Sequence, residues 1–174
     1  MERTDSRRGV TRRDLLARAS AAGASFMVGA GFVSARDAAW ALEVEALKPE
    51  TMAALVQMAR DIYPHDRIPD ENYVTAVKGY DTADQAPMVE DGIAALNAAA
   101  AEAGHGDYLG ALWESDRVAV LRGVQDTDFF QTVRAGLVTG LYNQKSVWPL
   151  FGYQGESFAE GGYIDRGFND IAWL

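Results

Sequence analysis

Residues 128–144 read DFFQTVRAGLVTGLYNQ, and within them Phe130, Val133, Leu137, Val138 and Leu141 recur at helical spacing. That spacing gathers all five on one side of an α-helix and leaves polar residues on the other. A helix with one apolar stripe persists only when other elements cover the stripe. Asp126 or Thr127 stands before the stretch as its start signal, because a short side-chain oxygen there accepts an N–H of the first turn. The segment is therefore read as a helix at the centre of the core.

Neighbouring segments supply the cover. In LKPETMAALVQMARDIYP, Met52, Leu55, Val56, Ala59 and Ile62 follow the same period. Pro49 and Glu50 suit its first turn and Pro64 stops it. HDRIPDENY reads as a loop with Pro69 and Asp70 as turn residues, and YVTAVKGYD as a short helix or turn. PMVEDGIAALNAAAAEAGHGD reads as a helix beginning at Pro87 and closed by Gly104 and Gly106. Ser115 is the expected N-cap of a further short helix reaching Leu121. From about Lys145 neither helical nor strand periodicity lasts, and aromatics alternate irregularly with glycine to the end. The expected fold class is all-α: a small helical domain bearing an irregular, aromatic and Gly-rich C-terminal arm.

The first 41 residues are of another kind. Arg12 and Arg13 are followed by Leu15 and Leu16, then by an uncharged run from Ala19 to Ala35, then by Ala39-Trp40-Ala41. An arginine pair, an uncharged core and a small-x-small site in that order mark a twin-arginine export signal, which delivers folded proteins to the periplasm. Cleavage is expected after Ala41, with Ala35 as the second choice. The run is shorter and less apolar than the roughly 20 residues a membrane span needs, so membrane contact is expected only during export or through an uncleaved signal. The division is then 1–41 for the signal and 42–174 for the domain.

Charge and composition narrow the functions open to that domain. Residues 1–41 carry seven Arg against four acids, whereas residues 42–174 carry nine Lys or Arg against 21 Asp or Glu, a net of −12. So acidic a body repels phosphate backbones and anionic lipid, which argues against nucleic acid as a partner. The chain has no cysteine, which excludes disulfides, thiolate zinc sites, iron–sulfur clusters and covalent haem. No Gly-rich turn between strand and helix offers a phosphate or flavin cradle. Asp61, His65 and Asp66 could gather a metal if the helix continued, but Pro64 argues against it. Ser115, Ser146 and Ser157 lack a nucleophile motif, and His105 lies between glycines at a helix end. Asp126 and Asp128 read as helix-start acids. No catalytic, cofactor-binding or metal-binding residue is expected in this chain.

What remains conspicuous is the arm. Trp148, Phe151, Tyr153, Phe158, Tyr163, Phe168 and Trp173 bring more apolar surface than an irregular segment usually hides. They complete the protein's own core, form a partner interface, where aromatic anchors dominate the energetics, or, as a third and less favoured option on an irregular arm, serve as platforms for sugar.

TRRDLL, LVQMARDIYPHDRIP, DFFQTVRAGLVTGLYNQ and WPLFGYQGESFAEGGY occur in that order. Together they resemble the gluconate 2-dehydrogenase subunit 3 family, the small subunits of periplasmic flavin-dependent dehydrogenases. The resemblance covers most of residues 43–174, and Pro64, Asp66 and Pro69 match the family's P-x-D-x-x-P element without a catalytic role. It implies a large FAD-binding partner subunit of the glucose–methanol–choline type that oxidises a sugar or polyol, with a cytochrome c as electron acceptor. It also implies that the small subunit carries the export signal for both chains. The alternative is an independent periplasmic binding or scaffold protein.

Overall fold

Proline at the first helical position and an acid beside it start the first long helix, α1, which spans Pro49–Ile62. The computed structural model describes residues 44–164, together with the backbone of a small antiparallel ladder, β1 (Met27–Val28) and β2 (Gly31–Phe32), in which Met27 faces Phe32. The signal residues Arg12, Arg13, Leu15, Leu16, Ala39 and Ala41 lie outside the described residues, as do Phe168 and Trp173.

Four more helices follow: α2 (Asp70–Val77), α3 (Ala86–Glu102), α4 (Glu114–Val124) and α5 (Asp128–Tyr142). The domain is all-α. Its centre is α1, which touches each of the other four helices and buries Met52, Leu55, Met58 and Ala59 completely or nearly so. This corrects the expectation that α5 is the central helix. In α5 only Phe130, Val133, Leu137 and Leu141 are buried, and Val138 is 50% exposed. Adjacent helical residues point about 100° apart, so the face that holds Leu137 against the core turns Val138 outward. Small Ala53, Ala54 and Ala59 let neighbours close on α1 from several sides.

Two local expectations are also corrected. The loop read over HDRIPDENY ends sooner, because Asp70 to Tyr73 already belong to α2. Pro69, extended at ψ 152°, precedes the helix, and Asp70 and Glu71 complement its N-terminus. Ser115 does not cap α4. Trp113 occupies the N-cap position without a side-chain bond, and Ser115 sits within the first turn. Thr127, by contrast, caps α5 as expected, accepting the N–H of Phe130 at 3.3 Å.

The closest helix approach joins α2 to α5. At Gly140 a Cβ would stand 2.8 Å from the Ala76 carbonyl oxygen and 3.2 Å from its Cα. Asn72 and Gln144 hold the same pair through side chains: Asn72 Nδ2 donates to Gln144 Oε1 at 2.6 Å, and Gln144 Nε2 donates to the Asn72 carbonyl at 2.8 Å. After α5 the chain forms 3-10 turns at Trp148–Phe151 and Ser157–Glu160. Among the described residues no helix is long and apolar enough to cross a membrane.

Candidate functional site

Buried charge is the first place to look for chemistry, because an unpaired ion inside a protein is too costly to keep without a purpose. Asp61, near the end of α1, is buried and fully engaged. Its Oδ2 accepts Tyr108 Oη at 2.6 Å and Arg117 Nε at 2.7 Å; its Oδ1 accepts Gln57 Nε2 at 2.9 Å and Arg117 Nη2 at 3.1 Å. Arg117 also donates to the Ala111 carbonyl. Burial, then the Asp61 charge, push the Tyr108 phenol far above its usual range, so it stays a donor. Burial alone would lower the Arg117 value, but the bonds from Asp61 outweigh it and raise it. The result is a neutralised knot tying α1 to α4 and the loop between α3 and α4. Asp61, His65 and Asp66 do not gather, since Asp61 turns inward. Among the described residues no three His, Cys, Asp or Glu side chains are placed to share a metal ion.

A second buried carboxylate, Asp81, holds the segment leading into α1. Its oxygens accept the backbone N–H groups of Glu45, Ala46 and Leu47 at 2.8–2.9 Å, and Lys78 Nζ at 2.8 Å. Burial would raise its pKa; the bonds from Lys78 and the three N–H groups prevail and hold it well below the usual carboxylate range. This clamp ties the backbone of Glu45, Ala46 and Leu47 to the turn that follows α2.

The remaining surface with character is the arm, and its two halves behave differently. The first half folds back. Trp148 Nε1 donates to the Tyr142 carbonyl at 2.9 Å. Gly152, at φ 75°, lets the chain reverse, a conformation side chains disfavour, so that Tyr153 N–H reaches the Trp148 carbonyl at 3.0 Å. The Tyr153 ring then meets Trp148 edge to face, centroids 5.1 Å apart. Phe151 packs similarly on His65 at 5.2 Å and on Tyr142 at 5.8 Å, and Tyr142 in turn meets Tyr63 at 5.8 Å. The Tyr142 hydroxyl is hydrogen-bonded to His65 Nε2 at 2.6 Å. Burial and the neighbouring Tyr63 raise its pKa, which keeps the phenol protonated.

Between these rings lies an open groove of about 500 Å³, lined by Tyr142, Asn143, Trp148, Phe151, Tyr153 and Glu156. Further along the arm Phe158 is 95% exposed and Ile164 84%, whereas Phe151, Tyr153 and Tyr163 are each about half exposed. Of the seven aromatics singled out in the sequence, Trp148, Phe151 and Tyr153 thus share one groove, while Phe158 and Tyr163 stand outside it. Sequence reasoning missed Tyr142, which lines the groove, and the packing of Tyr63 and His65 against it. Two aromatic residues flanking Pro64 and a third at the end of α5 were the available signal, and only their pairing in space gives it meaning. The Asp61–Arg117 pair was missed for the same reason, since 56 residues separate the partners.

Comparisons with family models, with curated proteins and with solved structures return no match to this chain.

Proposed function

We propose that this chain is a non-catalytic small subunit of an exported FAD-dependent sugar or polyol dehydrogenase. In this reading its work is to carry the folded catalytic flavoprotein through the twin-arginine route to the periplasm and to stabilise it there. The observation that carries the reading lies in the arm, where Phe158 and Ile164 offer apolar surface that the helical body does not cover. Exposed apolar side chains of this size suit a protein interface. The order of Arg12, Arg13, the uncharged run and Ala39-Trp40-Ala41 supports the export part, and the motifs shared with the gluconate 2-dehydrogenase subunit 3 family support the choice of partner. No residue of this chain is assigned to FAD. The flavin belongs to the large subunit, which passes electrons to a cytochrome c.

The test is the double substitution Arg12→Lys/Arg13→Lys in the native host. Both subunits and the flavin should remain in the cytoplasm. Normal export of the large subunit would overturn the proposal. A second reading, an independent periplasmic binding or scaffold protein, draws on the closed core around α1. It requires a monomer that melts cooperatively and needs no larger chain.

A further inference from the structure

The aromatic groove has the chemistry of a cation site. Its rings meet at steep angles, 62° for Tyr142 with Phe151 and 74° for Trp148 with Tyr153, so they line the space as walls instead of stacking into one slab. Ring faces carry negative potential and attract cations, most strongly at tryptophan. Glu156 adds a full negative charge to the lining and Asn143 a neutral polar group. A cation already borders two of these residues: Lys145, itself outside the lining, holds its Nζ 5.6 Å from the Trp148 ring centroid and 3.4 Å from Glu156 Oε2. Both side chains of that pair are exposed, 74% for Lys145 and 56% for Glu156, so the pair is weakly held and readily exchanged. The net charge of −12 over residues 42–174 favours the approach of further cations.

We propose that this groove receives an arginine side chain from a partner protein, and that the arginine displaces Lys145 from Trp148 and Glu156. The proposal rests on the partner-binding reading above and gives the partner a chemistry. A guanidinium is planar, lies flat on a ring and presents a fork of N–H donors to a carboxylate, which matches Trp148 beside Glu156. A protein segment is the fitting carrier, because Phe158, two residues along the chain from Glu156, is 95% exposed. A small free cation would leave that surface uncovered, whereas apolar residues flanking an arginine would meet it.

Two synthetic peptides test this on the full chain: acetyl-Ala-Leu-Arg-Leu-Ala-amide, and the same peptide with citrulline, which keeps the shape and removes the charge. The Trp148 indole N–H, held on the Tyr142 carbonyl, is the reporter in NMR titrations, identified by its loss in Trp148→Phe. The arginine peptide should shift it saturably and bind about tenfold more tightly than the citrulline peptide. Glu156→Gln should remove most of that difference, and Lys145→Met should tighten arginine binding several-fold by removing the competitor. Both substitutions fall on exposed side chains, so the fold is retained. Equal binding of the two peptides, no shift at Trp148, or weaker arginine binding in Lys145→Met would overturn the proposal. These readings use this chain alone, so they stand or fall separately from the export of a flavoprotein in Arg12→Lys/Arg13→Lys.

Discussion

Asp61 and Asp81 are two buried carboxylates that do different work, and each leads to its own measurement. Around Asp61 every bond is to a side chain, and one partner is the full charge of Arg117. Asp61→Asn would leave that guanidinium buried without its counter-charge, so it should cost about 3–5 kcal/mol of stability, read as a lowered urea midpoint. Adding Arg117→Met should recover part of the loss, because removing both charges avoids the unpaired ion. Asp81 is bound mainly by backbone N–H groups, and its pKa lies below the ordinary value. Its contribution is therefore fully present above the unfolded pKa of about 3.9 and is lost as pH falls through the lower folded value. Asp81→Asn should cost about 2 kcal/mol at pH 7, and the gap from the parent protein should narrow only below about pH 4. A gap that narrowed between pH 7 and 5 would contradict the clamp.

At the scale of elements, the contact between α2 and α5 decides how the helices can sit. Gly140 faces the Ala76 backbone, which is rigid, so Gly140→Ala should force the helices apart and cost about 1–3 kcal/mol in thermal unfolding. Gly123, on α4, meets no atom within 4 Å, and alanine there should be neutral or slightly stabilising. Much of this level was legible in the sequence. The period of Met52, Leu55, Ala59 and Ile62 gave α1, and Thr127 gave the start of α5, because spacing and caps are local signals. The centrality of α1 was not legible, since a helix buried on most sides differs from an amphipathic one only in its small residues. Nor was the start of α2, where Asp-Glu-Asn has the composition of a turn and becomes helical through the acids at its N-terminus and the pairing of Arg60 with Asp70. The aromatic arm was visible as composition. Its division into a packed part and a more exposed part was not, because it depends on His65 and Tyr142 lying where Phe151 can reach them.

For the whole molecule, the features fall into an order along the chain. From residue 44 onward, the backbone of Glu45, Ala46 and Leu47 clamped by Asp81 comes first, then a helical body, then an arm in which Phe158 and Ile164 are exposed. The arm's Val147 and Leu150 belong with that core, and its exposed Phe158 and Ile164 are the surface that the proposal gives to a second protein. The measurement that bears most directly on this is purification of the chain, tagged at its C-terminus, from the periplasm of its own host, followed by a visible spectrum and identification of what accompanies it. The expected result is a yellow complex with flavin absorption and a larger chain in fixed stoichiometry. A colourless single chain that melts cooperatively would contradict the proposal and leave an independent periplasmic protein in its place.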